Sequence, residues 1–186
     1  MIAEWLEADG LGGFSSGTVG GARTRRYHAL LLCATTPPTG RFVLVNGMEV
    51  WAEKPAGSFA LSAQHYLPDV RHPDGHSRVT SFSTEPWPNW TFRLEDGTQI
   101  EQALCVPRGE PSVIVTWRLV EHRDGVVLSV RPLLSGRDYH SLHHENSAFR
   151  FDAAIDGQCA TWRPYDGGPS SQERGDARRL GRADST

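Results

Sequence analysis

The residues of this chain best equipped for chemistry gather in one short stretch, Arg137-Asp138-Tyr139-His140 and then His143, His144, Glu145 and Asn146. Imidazoles and a carboxylate are competent zinc ligands. The order H-x-x-H-H-E, however, matches neither H-E-x-x-H nor its inverted form, and the surrounding text is that of a loop. The cluster therefore reads as a polar network that fixes a loop or lines a cleft, with no metal and no other cofactor. Asp69, Asp74, Asp138 and Glu145 all fall in loop text. A glycosidase would need two such carboxyls across a sugar, one protonated and one ionised. An Arg-Asp-Tyr-His string is equally what a structural ion pair with hydrogen-bonding neighbours looks like.

Gly13-Phe14-Ser15-Ser16-Gly17 satisfies G-x-S-x-G. A nucleophile elbow needs a buried strand before it and a helix after it, and the flanking text offers neither, so a flexible Gly/Ser loop is expected. The glycines at 10, 12, 13, 17, 20 and 21 precede no G-K-[ST], and no βαβ unit surrounds them. They are expected to permit close backbone approach instead of cradling phosphate. Trp87 and Trp90 offer flat apolar faces on which sugars stack, but Trp90 is in phase with Phe92 and reads as core. Trp87 alone keeps the sugar-stacking reading.

The elements that must carry these residues read as strands. An Asn-Gly or Asp-Gly pair between β-type runs marks a type I′ hairpin, and it occurs at 46–47, 96–97, 124–125 and 156–157. Trp90, Phe92 and Leu94 share one face while Thr91, Arg93 and Glu95 share the other. Val113, Val115, Trp117 and Leu119 alternate in the same way, as do Val126, Leu128 and Val130. Weaker strand signals lie in GSFALSAQHY and SRVTSFST, and no stretch of ten residues has helical periodicity. Eight to ten strands without helices imply an all-β, antiparallel two-sheet sandwich built from consecutive hairpins.

Length and composition bound the function. A chain of 186 residues fits one domain with a core of its own. A net charge of −3 and a pI near 6.2 give no field that would gather nucleic acid or anionic lipid. Three scattered cysteines without a C-x-x-C pair fit reduced thiols in the cytoplasm. The first residues lack the basic and apolar regions of an export signal.

Taken together and in order, EWLEADGLGGFSSGTVGGARTRRYHALLL from residue 4, GRFVLVNGMEVW, HPDGHSRVTSFSTEPWPNWTFRLEDGT and RPLLSGRDYHSLHHEN resemble one family. It is the N-terminal domain of bacterial and archaeal glycogen-debranching enzymes, glycoside hydrolases of the amylo-α-1,6-glucosidase type. The resemblance covers about residues 4 to 168. It implies a galactose-mutarotase-like β-supersandwich that precedes an (α/α)6 barrel, where α-1,6-linked glucose is removed from glycogen or a related glucan without a metal. The general acid and base would belong to the barrel, so no residue of this chain takes a catalytic role. The positions carried over are Thr24, Arg25, Arg26, Tyr27 and His28, with Arg137, Asp138, Tyr139, His140, His143, His144, Glu145 and Asn146. Together with Trp87 they are expected to bind glucan or to face the barrel. The alternative is a stand-alone glucan-binding module.

After Pro164-Tyr165-Asp166-Gly167-Gly168 the pattern breaks, and from Ser170 onward Leu180 is the only large apolar residue. The expectation is a domain over residues 1–168, incomplete at its C-terminal end, and a disordered tail over 169–186. A composition change this abrupt favours a shifted reading frame over a natural truncation.

Overall fold

The computed structural model of the chain describes residues 3–121, 125–142, 144 and 146–175. These residues form an all-β protein with one 3-10 turn, Gly75–Arg78. Among them no helix is long and apolar enough to cross a membrane. The chain divides into two compact units, Met1–His144 and Glu145–Thr186.

In the first unit β1 (Glu4–Ala8), β2 (Phe14–Thr18), β3 (Ala29–Thr36), β4 (Thr39–Lys54) and β5 (Gly57–Ala60) follow one another as antiparallel neighbours. A two-stranded ribbon, β6 (His65–Tyr66) and β7 (Val70–Arg71), comes next. Then β8 (Val79–Ser83), β9 (Asn89–Arg93), β10 (Gln99–Cys105) and β11 (Ile114–Leu119) build a four-stranded sheet in the order β11-β10-β9-β8. The long β12 (Val127–Asp138) returns to the first sheet beside β4, giving the order β1-β2-β3-β4-β12 with β5 also on β4.

The two sheets share a core in which Val50 and Ala52 of β4 meet Trp90 and Phe92 of β9, Leu94 just beyond it, and Ile100 and Leu104 of β10. The β9 alternation read from the sequence is what produces this face. Trp90 is 4% exposed, and its indole N–H is satisfied by Val19 O at 2.9 Å. Burying an aromatic body is worth about 1.5–3 kcal/mol only if the N–H finds such a partner. Trp5 meets the Trp90 ring edge-on at 5.4 Å.

Two of the expected hairpins exist, with turns other than type I′. Among the described residues only glycines have positive φ. At 96–97 the N–H of Gly97 donates to Leu94 O, and Gly97 alone is left-handed, at φ +82°. At 156–157 the loop is Gly157-Gln158, closed between Asp156 and Cys159, with positive φ at its first residue as a type II′ turn requires.

The other two hairpins are corrections. At Asn46-Gly47 the chain does not turn but continues through β4 for 16 residues. Val45 pairs with Leu134 and Gly47 with Leu133, so Asn46 is an extra, bulged residue. The Arg23 guanidinium lies where a Cβ on Gly47 would project. At 124–125, β11 and β12 do not pair, since β11 lies on β10 and β12 on β4. That connection passes between sheets, and Asp124 lies outside the described residues.

The Gly-rich opening is also corrected. The expected flexible loop Phe14-Ser15-Ser16-Gly17 is β2, an inner strand whose residues from Ser15 on are all buried. Small residues serve it because neighbouring groups come so close. A Cβ on Gly13 would collide with the Asp9 carboxylate and lie 2.6 Å from Leu32 O, and one on Gly17 would press on the Trp5 ring at 3.3 Å. The close-approach reading of these two glycines therefore holds. Asp9, buried at 2%, closes the β1–β2 hairpin by accepting the N–H groups of Leu11 and Gly13 at 2.7 and 2.9 Å.

The second unit is a three-stranded sheet of β13 (Ala153–Asp156), β14 (Cys159–Trp162) and β15 (Ser171–Arg174), with β14 in the middle. β15 lies in the stretch expected to be a disordered tail. It pairs with β14 from Ser171↔Trp162 to Arg174↔Cys159, so backbone hydrogen bonds order a segment with little apolar content. Residues 176–186 of that tail lie outside the described residues.

Candidate functional site

The order β2-β3-β4-β12 has one consequence for the residues singled out above. The connection that ends at His28, just before β3, and the chain leaving β12 at Asp138 are more than 100 residues apart in sequence, yet they meet. Arg26 donates through Nη1 to His140 O at 2.7 Å, and Arg137 donates through Nη2 to Arg26 O at 2.6 Å. Arg137 also donates to Tyr139 O and Ser141 O, at 3.3 and 3.1 Å. The Tyr27 hydroxyl lies 3.2 Å from His140 Nδ1. Tyr139 packs on Tyr27 and on His140 with ring centroids 5.5 and 3.8 Å apart. Asp138 Oδ1 accepts the backbone N–H of His140 at 2.9 Å, which closes the turn that delivers the imidazole.

His28 anchors the first segment from beneath. It is 4% exposed, and its Nδ1 accepts the backbone N–H of Thr24 at 3.2 Å. The proton of the neutral ring is therefore on Nε2, which faces Glu4 Oε1 at 3.7 Å. Burial holds His28 below its ordinary pKa, opposed by Glu4 and assisted by Arg25 and Arg23. Glu4 itself is held below the usual carboxylate range, chiefly by the Arg25 hydrogen bond at 2.7 Å. Arg137 is pushed down by burial and then by the nearby Arg26 charge.

These side chains surround a groove of about 560 Å³. The β1–β2 hairpin supplies Glu4, Trp5, Leu6 and Phe14, the segment before β3 supplies Arg25, Tyr27 and His28, β4 supplies Arg41, and the chain leaving β12 supplies Tyr139 and His140. Two of its lining residues, Phe14 and Tyr139, pack on a satellite core of Ala29, Leu32 and Val43. The Arg41 guanidinium lies 5.4 Å from the Tyr139 ring centroid, and the Tyr139 N–H donates to Arg41 O. Glu4, Trp5, Phe14 and Arg41 escaped the sequence reading. Arg41 reaches the site only because β4 pairs with β12 through Asp138↔Phe42, a non-local pairing with no local signature. Sugar-sized volume, two aromatic faces and convergent polar groups suit a hydroxylated ring.

Not every expected position joins the groove. His144 is exposed at the end of the first unit. Asn146 belongs to the second unit, where it donates to the Tyr165 hydroxyl at 3.2 Å. His143 and Glu145 lie outside the described residues. Trp87 is 42% exposed on the β8–β9 turn and does not line the groove. Asp69 Oδ1 lies 2.8 Å from His65 Nε2, and Asp74 ion-pairs with Arg78 at 2.7 Å, so both carboxylates have local partners away from the groove. Among the described residues no three of His, Cys, Asp and Glu are placed to hold a metal ion. Burial raises the Cys33 thiol to about 11, which makes it an inert core residue.

The family model described as glycogen debranching enzyme N terminal matches residues 3–178. The chain belongs to this family. The match includes both halves of the groove and runs past residue 168, through β15. No curated protein and no solved structure matches the chain. For this debranching-enzyme N-terminal domain, the groove built from residues 24–28 and 137–140 is accordingly the strongest candidate site.

Proposed function

We propose that this chain is the non-catalytic N-terminal domain of a cytoplasmic glycogen-debranching enzyme, and that its groove holds a segment of α-glucan for the enzyme's catalytic barrel. In this reading the barrel carries the general acid and base and hydrolyses α-1,6-linked branch glucose, while the present chain contributes position alone. The observation that carries the reading is the meeting of the two polar segments around the exposed Tyr27 ring and Tyr139. Tyrosine faces stack on the apolar face of a pyranose, and the neighbouring guanidinium and imidazole groups can bond its hydroxyls. Holding part of the substrate away from the reacting bond raises the local concentration of the branch.

Affinity electrophoresis through glycogen-containing gels tests this. The chain is expected to be retarded, to release no glucose, and to regain most of its mobility in Tyr27→Ala and Tyr139→Ala variants that stay folded. Free migration of the unaltered chain contradicts glucan binding. Equal retardation of all three proteins, with loss in Trp87→Ala, favours instead a binding module centred on the β8–β9 turn.

A further inference from the structure

The groove carries more positive charge than a neutral polymer needs. Arg25 and Arg41 line it beside the carboxylate of Glu4, and Arg26 and Arg137 bond the backbone of His140 and Arg26 next to it, in a chain whose net charge is −3. Of the four, only Arg25 is ion-paired among the described residues. Arg26, Arg41 and Arg137 donate to carbonyl oxygens, which orient a guanidinium without neutralising it. Arg137 is pushed down first by burial and then by the nearby Arg26 charge, so these two guanidiniums sit close enough to repel.

Two of the guanidiniums keep free donor edges on the groove. Arg41 uses Nε on Pro38 O at 3.1 Å, and its guanidinium carbon lies over the Tyr139 ring, 5.4 Å from the centroid. Arg25 uses Nε on Glu4. The terminal Nη groups of both make no hydrogen bond among the described residues, and an Nη pair is the fork that takes two oxygens of a phosphate or carboxylate. We infer that the groove is an oxyanion site for a phosphomonoester, with Arg25 and Arg41 as the two forks and the exposed Tyr27 ring receiving the hexose that bears it. The sugar half of this inference rests on the glucan reading above. The anion half rests on the arginines alone.

Calorimetric titration of the full chain at low ionic strength tests it, with glucose, glucose 6-phosphate, inorganic phosphate and maltotriose as separate probes. Glucose 6-phosphate is expected to bind at least about tenfold more tightly than glucose and to weaken as salt is added. Arg41→Ala is expected to cost about tenfold or more. Glu4→Gln removes the competing carboxylate from Arg25 and is expected to tighten binding severalfold, a gain that a damaged fold would not produce. Inorganic phosphate binding as tightly as glucose 6-phosphate, with the same response to both variants, identifies free phosphate as the ligand; weaker binding identifies the hexose ester. Equal affinity for glucose and glucose 6-phosphate, or affinities unmoved by both variants, overturns the inference. Maltotriose reports separately: its binding without any preference for phosphate leaves the glucan reading standing while the oxyanion site falls.

Discussion

His28 shows how one residue sets the groove. As a neutral ring it accepts the Thr24 N–H and holds the turn that presents Arg25, Arg26 and Tyr27. Protonation would set an N–H against an N–H. Because burial keeps its folded pKa below the ordinary value near 6.5, the unfolded chain takes up the proton first as pH falls. The His28 contribution is thus complete above about pH 6.5 and lost as pH falls from there through the folded pKa. The urea midpoint should drop between pH 7.5 and 5.5, and His28→Asn should flatten that drop. The depressed carboxylates, Glu4, Asp74, Glu95 and Asp96, respond only below their ordinary values, about 4 to 4.5, so the two windows separate. Gly13→Ala forces a methyl into the Asp9 carboxylate and Leu32 O and should cost about 1–3 kcal/mol in urea unfolding. A neutral result there would remove the close-approach account of the β1–β2 hairpin.

Among the elements, what was legible in the sequence depended on range. The β9–β10 hairpin and the buried face of Trp90, Phe92 and Leu94 could be read because period-two alternation and a turn glycine are local signals. The straight passage through Asn46-Gly47 could not, because the Arg23 guanidinium beside that glycine comes from a distant loop. Likewise β12 pairs with β4 and not with β11, a non-local pairing that no local pattern in the sequence marks. Of the candidate site's two polar segments, residues 137–140 stood out by residue type and by the family resemblance, and residues 24–28 by the resemblance alone. Their contact, and the addition of Glu4 and Arg41, required the sheet order. At β15, pairing with β14 gives a direct test: hydrogen exchange should find the β14 amides protected on both sides, and a chain ending at residue 168 should lose the protection that β15 supplies. Unchanged protection in the shortened chain would argue against β15.

At the scale of the whole molecule, the all-β architecture and the debranching-enzyme N-terminal family agree, and the function proposed on that basis is a binding surface. The surface proposed is the groove between residues 24–28 and 137–140, and the rival is the exposed Trp87 turn on the other sheet. One measurement separates them most directly: amide chemical-shift mapping of the ¹⁵N-labelled chain during titration with maltotriose. The account predicts that the largest shifts fall on Arg26, Tyr27, Tyr139 and His140, with the β8–β9 turn unmoved. Shifts confined to Trp87 and its neighbours, or no shifts at saturating sugar, would contradict it.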